Sequence, residues 1–344
     1  MNESSPQNYK LDHEVNSEVN HRVIFDTDPG VDDAMALYFV LAHPRIDLLG
    51  VTTTFGNVTV QQAATNALYL THLAGRPVPV TQGVAAPLVK HLEPPPDYIH
   101  GADGLGNLPT RVACPLALDP RSSAQFIVDM ARAQPGDITL VPVGPLGNLA
   151  QALKLEPKLP KLLKRVVLMG GAIATPGNVS PVAEANIWND PHAADAVFTA
   201  GFDLAMVGLD VTYQVILPVT LFEKIAAHHQ HPATDTLLHA VKFYGNFYAT
   251  RVPELRDKPG CFGHDVLAFI HLLHPELFGT NTGRIRVVTD GVANGQTILN
   301  GRPDIEFAQP GWGSEVPNST ACMTVDVPAV TAVFEQTMMR PWLT

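Results

Sequence analysis

The sequence predicts a single α/β domain built on a mostly parallel, doubly wound sheet flanked by helices. Short β-rich runs alternate with stretches that carry apolar residues at helical spacing, the pattern of repeated strand–helix units. Runs such as Val166-Val167-Leu168-Met169 are apolar throughout, as strands covered by helices on both faces require. The chain has 344 residues, 46% of them hydrophobic and 16% charged, enough for one large core.

The elements follow in order. Arg22–Phe25 reads as a first strand, and the helix from Asp32 to Ala42 begins on acidic residues that suit a helix N-terminus. Ile46–Thr54 is a second strand and Val60–Leu73 a second helix, ended by Gly75 and Pro77. A short third strand is expected over Val78–Val80. The segment from Gly83 to Pro109 is rich in Pro and Gly, and a connection of that length inside a compact domain points to function. Alternation resumes with helix over Ser122–Ala133, strand over Asp137–Val143, helix over Leu146–Leu155 and strand over Arg165–Met169. Helix over Pro191–Ala200 and strand over Leu204–Leu209 follow. Thr220–Leu277 reads as largely helical. Strands over Arg284–Thr289 and Met323–Val327 precede a last helix. The domain runs from residue 21 to 344. Met1 to Asn20 is polar, lacks the apolar run of a secretory signal, and is expected to be a flexible extension.

Formal net charge is -11, which repels phosphate backbones and argues against a nucleic acid polymer as partner. No apolar stretch is long enough to span a membrane. Cys114, Cys261 and Cys322 are far apart and odd in number, so neither a disulfide framework nor a zinc site is expected, and a reducing, cytoplasmic setting is.

The densest chemistry lies in Asp26-Thr27-Asp28-Pro29-Gly30-Val31-Asp32-Asp33, directly after the first strand. In an open parallel sheet, ligands sit beyond the carboxyl ends of the strands. Four carboxylates in eight residues repel one another unless a positive charge neutralises them. The following helix N-terminus supplies only part of that field, so a bound cation is expected, and hard oxygen ligands favour calcium or magnesium over zinc. The loop is not an EF-hand, because the twelfth position from Asp26 is Leu37 rather than Glu.

This segment resembles the D-x-D-P-G-x-D-D signature of the nucleoside hydrolases of the inosine-uridine-preferring type. Further segments extend the resemblance in order: Thr53-Thr54-Phe55-Gly56-Asn57-Val58, His100-Gly101-Ala102-Asp103-Gly104-Leu105-Gly106 and Val143-Gly144-Pro145-Leu146-Gly147-Asn148-Leu149-Ala150. Met169-Gly170-Gly171, Glu184-Ala185-Asn186-Ile187-Trp188-Asn189-Asp190-Pro191 and Gly263-His264-Asp265 complete it. The resemblance implies a Rossmann-like single domain that hydrolyses a small-molecule ribonucleoside to base and ribose, assembled as a homodimer or homotetramer. It implies a Ca2+ site made by Asp28, Asp33, Asp265 and a backbone carbonyl, here that of Val143 where a Thr is usual. It implies ribose contacts from Asp32, Asn57, Asn178, Glu184 and Asn186, with Asp28 as the base that takes a proton from water.

On the leaving-group side the expected residue is His264, since histidine donates protons near neutral pH. It is one of fourteen histidines, most of which should be structural, and its place beside Asp265 singles it out. His100 could close over the base from the long loop. Tyr244, Tyr248 and Arg251 share a helix face, and Tyr248 is the expected base contact, whereas Phe243 and Phe247 suit core packing. A His at 264, rather than a Trp, resembles the pyrimidine-preferring and non-specific members. Two other readings compete: a haloacid dehalogenase-type phosphatase starting at Asp26-Thr27-Asp28, and a non-catalytic nucleoside or sugar sensor. The first expects Thr or Val where Gly30 stands; the second expects the loss of an acidic ligand, and none is lost.

Overall fold

The computed structural model describes residues 21–343 apart from 303–304, 306, 308–310 and 314. The extension read over residues 1–20 lies outside the described residues. The chain begins with β1 (His21–Thr27), α1 (Val31–Ala42), β2 (Ile46–Thr53), α2 (Val60–Leu73) and β3 (Val80–Gln82). The long connection holds one short helix, α3 (Asp97–His100), before α4 (Ser123–Ala133), β4 (Ile138–Pro142), α5 (Gly147–Leu155), α6 (Leu159–Leu162) and β5 (Arg165–Met169). Next come α7 (Ala185–Asn189), α8 (Pro191–Phe198), β6 (Leu204–Val207) and α9 (Leu209–Thr212). β7 (Ile216–Pro218) comes next, and the stretch read as largely helical holds α10 (Val219–His229), α11 (Pro232–Arg251), β8 (Gly260–Phe262) and α12 (Val266–Leu273). The chain closes with β9 (Phe278–Val287), β10 (Thr297–Asn300), β11 (Asn318–Val325) and α13 (Val327–Met338).

Nine strands form one sheet in the order β10-β9-β11-β6-β5-β4-β1-β2-β3. From β11 to β3 every pairing is parallel, and β9 pairs antiparallel with both β10 and β11. The run 3-2-1-4-5-6 is the Rossmann order, in which the chain winds outward from β1 on one side and from β4 on the other. A crevice opens where that direction reverses, beyond the carboxyl ends of β1 and β4. The acidic turn follows β1 and Val143 follows β4, so the topology alone brings these distant segments together.

The pleat divides the core in two. Val23 and Phe25 of β1 pack with residues of α1, α11, α12 and α13, while Ile24 between them packs with α4, α5 and α8. Phe25 meets Phe269 of α12 edge to face at 4.9 Å, fixing α12 behind the crevice. β3 starts two residues later than the sequence pattern suggests, because Pro79 has no N–H to give the ladder and pairing begins at Val80.

Candidate active site

Every loop that meets at the crevice brings a polar side chain, and the turn after β1 brings most. Asp33 stands in the first turn of α1, where its carboxylate accepts the Gly30 N–H at 3.0 Å and the Asp28 N–H at 3.2 Å. It also accepts the Thr27 hydroxyl and, at 2.9 Å, the Asn57 amide from the loop after β2. Asn57 further donates its backbone N–H to Asp28 Oδ2 at 2.6 Å. Asp28 is packed so closely that a Cβ on Gly144 would lie 2.5 Å from its Oδ1, which is why the segment after β4 carries glycine there. Gly30 has a similar use: a Cβ there would lie 2.6 Å from His100 Nδ1.

Asp265 follows β8, at the N-cap of α12, yet it makes no side-chain cap bond. Oxygens of Asp32, Asp33 and Asp265 lie within 4.8 Å of one another, all three residues buried. Two ionised carboxylates at that range repel by roughly 3 kcal/mol at an effective dielectric near 20. Burial and mutual repulsion accordingly push the carboxyls up: Asp28 and Asp265 well above the usual range, Asp33 upward, and Asp32 to about 6 through burial. Asp28 Oδ1, Asp32 Oδ1 and Asp265 Oδ2 are buried without a hydrogen-bond partner among the described residues. Buried carboxylate oxygens left in this way fit a cation that joins them. The structure thus groups Asp32 with Asp33 and Asp265. Asp28, expected as a ligand, lies outside that trio but presents an unpartnered oxygen beside it.

Asp26, the fourth carboxylate of the turn, is committed elsewhere. Its Oδ1 accepts the Thr52 hydroxyl at 2.6 Å and the Asn148 amide at 2.7 Å, and burial raises its carboxyl to about 6. The phosphatase reading would make this group the nucleophile, and its engagement with Thr52 and Asn148 disfavours that. Asn148 of α5 also bonds Thr53 O and the Val84 N–H, so it ties β1, β2 and the long loop together.

The expected sugar contacts line the far wall. Glu184 is the N-cap of α7: Oε1 accepts the Asn186 N–H at 2.8 Å, and Oε2 accepts Gly171 and Ile187 N–H at 2.9 and 3.1 Å. Burial still raises its carboxyl. The Asn186 amide donates to Val143 O at 2.7 Å and to Met169 O at 3.2 Å, so the proposed metal-ligating carbonyl already accepts one bond. Asn178 is exposed at the rim, and its Oδ1 accepts the Ala185 N–H at 2.9 Å.

The remaining wall is a continuous line of hydrogen bonds. Asp32 Oδ2 accepts the Tyr244 hydroxyl at 3.3 Å, which lies 3.1 Å from the Tyr248 hydroxyl, itself 3.1 Å from His264 Nε2. His264 Nδ1 lies 2.8 Å from the Thr212 hydroxyl. Both ring nitrogens of His264 are therefore engaged, and burial lowers its pKa to about 3, so the ring is neutral at physiological pH. His100 is buried against Tyr244, accepts the Val31 N–H on Nδ1 at 3.2 Å, and is lowered to about 4 by burial. With Nδ1 accepting, its proton sits on Nε2.

Tyr248 lies in this line, 3.1 Å from both Tyr244 and His264. Arg251 does not: it is exposed, with its guanidinium 5.6 Å from the Phe247 ring centre. Phe243 and Phe247 are half-buried rather than core, and Phe247 meets the exposed Tyr98 of α3. Trp188 lies under Lys90 of the long loop, which also donates to Trp188 O. Thr212 and the structural role of Asn148 were missed. The Tyr244–Tyr248 spacing of four was a readable signal, whereas Thr212 meets His264 only through tertiary packing.

The inosine-uridine preferring nucleoside hydrolase family model matches residues 23–332. A probable uridine nucleosidase of Oryza sativa subsp. japonica is 38% identical over 322 residues, covering 93% of this chain and 97% of its own. Among solved structures, a plant nucleoside hydrolase matches with a TM-score of 0.86 at 34% identity, covering 93% of this chain and 99% of its own. A purine-preferring ribonucleoside hydrolase from Gardnerella vaginalis matches with a TM-score of 0.84 at 33% identity, covering 92% and 98%.

Proposed function

The chain belongs to the inosine-uridine preferring nucleoside hydrolase family and cleaves ribonucleoside N-glycosidic bonds to free base and ribose, and we propose that it does so around a calcium ion held by Asp28, Asp33, Asp265 and the Val143 carbonyl. The observation that carries the metal is the pair of buried oxygens on Asp28 and Asp265 that have no hydrogen-bond partner among the described residues, beside Asp33. Asp32 also stands close enough to bind a cation, but its other oxygen is tied to Tyr244 on the leaving-group side, which suits a sugar contact. When bound there, the ion would offset the carboxylate charge and make a nearby water more acidic.

The chain's own residues do the rest. Asp28, held through Oδ2 by the Asn57 N–H, takes the proton of the attacking water. Asp32, Asn57, Asn178, Glu184 and Asn186 surround the ribose, and the carboxylates among them stabilise positive charge developing on the sugar. His100 offers its Nε2–H at the edge of the cleft. His264 acts on the departing base through Tyr248, whose hydroxyl it orients. We favour a pyrimidine-preferring or non-specific enzyme, on His264 and on the uridine-directed name of the rice relative. We further assign a homodimer or homotetramer and a cytoplasmic setting. Free Cys114, Cys261 and Cys322 suit a reducing compartment, and sedimentation of the purified protein reads the assembly. Among the described residues no helix is long and apolar enough to cross a membrane.

Ribose release from uridine, cytidine, inosine and adenosine, measured with and without a chelator, tests the reading. Uridine turnover at least equal to inosine turnover, abolished by chelator and restored by calcium, is expected. Chelator-insensitive activity would sink the metal assignment.

A proton-linked signature should accompany the metal. Asp32 titrates near 6 in the fold against 3.8 unfolded, and Asp28, Asp33 and Asp265 are also raised. At these four carboxyls the folded metal-free protein therefore holds more protons than the unfolded chain above pH 4. These groups cost it stability as pH rises through that window, and below it protons compete with calcium. The gain in Tm on adding calcium should be small at pH 4.5 and grow through pH 6 and above. A gain independent of pH would contradict this linkage.

A further inference from the structure

We propose that Thr212 is a positioning residue that fixes the tautomer of His264 and so keeps the Tyr248 hydroxyl proton off the ring and pointed along the line towards Tyr244, from where it can turn to the departing base; this rests on the hydrolase reading above. Each hydroxyl in the line has one proton to give, and each neutral imidazole has one N–H. At the cleft end the Tyr244 hydroxyl donates to Asp32 Oδ2 at 3.3 Å. Tyr244 then accepts from Tyr248, and Tyr248 accepts from His264 Nε2–H. That leaves His264 Nδ1 bare, and the Thr212 hydroxyl, 2.8 Å away, must donate to it. All four hydrogens point the same way, from Thr212 towards Asp32. The opposite tautomer would turn Nε2 into an acceptor and draw the Tyr248 proton onto the ring, away from the base.

The scaffold around Thr212 keeps its hydroxyl in place. Thr212 is fully buried in α9, one turn of helix whose Asp210 accepts three backbone amides, from Ile173, Ala174 and Thr175, at 2.8, 2.7 and 3.1 Å. The His264 ring is packed by Tyr213 and Phe262, with centroids 5.7 and 5.6 Å away, which holds its nitrogens towards Thr212 and Tyr248. Tyr248, half-buried, is the most accessible member of the line.

The experiment compares wild type, Thr212→Val and Thr212→Ser on uridine, a poor leaving group, and on p-nitrophenyl riboside, whose phenolate needs no proton. Thr212→Val should lower kcat on uridine by roughly 10²-fold, the scale of lost acid assistance, with a loss on the nitrophenyl substrate of only a few-fold and little change in KM. Thr212→Ser should recover most of the uridine rate. Ring ¹⁵N shifts of wild-type His264 should report a protonated Nε2. Equal losses on both substrates, no rescue by serine in a folded protein, or a protonated Nδ1 in the wild type would each overturn the proposal. The wild-type tautomer decides alone if Thr212→Val does not fold. Absence of ribose release from any nucleoside by the wild type would instead overturn the hydrolase reading, a separable result.

Discussion

Asp265→Ala should abolish calcium binding and nucleoside hydrolysis together while leaving the metal-free protein as stable as wild type or more so. The two expectations have one origin. Asp265 is buried, caps nothing with its side chain, and has an oxygen without a partner among the described residues. Its carboxyl is raised by burial first and then by Asp32, Asp33, Asp28 and Glu184. Deleting it removes repulsion from the empty cluster and also removes an anchor for the ion, so Tm without metal holds or rises while the calcium-induced gain disappears. The rate should fall by roughly 10³-fold or more, because metal-site charge stabilisation and activation of the water fail at once. Asp28→Ala should behave alike on the metal and lose the proton acceptor as well. A variant that keeps full activity, or loses activity with the calcium gain in Tm intact, would remove that residue from the metal site. A purely structural role would lower the metal-free Tm, so the two readings separate on sign.

Much of this site was legible because its residues are close in sequence or marked by chemistry. Four aspartates in one turn point to a cation, and the alternation of strands and helices announces a sheet whose loops gather at one end. What the pattern could not carry was strand order and exact pairing. β10 went unread because four residues at a sheet edge have too little periodicity to register. β9 begins six residues earlier than its apolar signal, since Gly279, Thr280, Asn281 and Thr282 are exposed and pair only because β11 offers a partner. β8 was lost inside a helical stretch for the same reason: three residues become a strand only against β7. Side-chain roles followed the same divide. Glu184 was read as a sugar contact, and its position before a short helix also marks an N-cap, which is where both its oxygens bond. Asp26 looks equivalent to Asp28 in sequence, and only the packing of β2 and α5 against β1 commits it to Thr52 and Asn148.

Uridine should be hydrolysed roughly 10⁴-fold more efficiently than 2′-deoxyuridine, the scale expected when a site built for a hydroxyl meets the analogue without it. Most polar groups on the proposed sugar wall already have partners. Asn57 is shared between Asp28 and Asp33, the Asn186 amide nitrogen between Val143 O and Met169 O, and both Glu184 oxygens accept backbone amides. Asp32 differs: Oδ2 takes the Tyr244 hydroxyl, and Oδ1 is buried with no hydrogen-bond partner among the described residues. A ribose hydroxyl donating to Oδ1 would complete it. Without that hydroxyl a buried carboxylate oxygen stays unpaired, a cost that falls on the deoxy substrate alone. Because the same oxygen faces charge developing on the sugar, part of the discrimination should appear in kcat rather than in KM alone. Asp32→Ala should then slow uridine sharply, narrow the ratio to the deoxy substrate, and leave the calcium-induced gain in Tm largely in place. Equal turnover of uridine and 2′-deoxyuridine by the wild type would defeat the sugar assignment. Loss of the calcium gain in Asp32→Ala would move Asp32 from the sugar to the metal, the other position its distance to Asp33 and Asp265 allows.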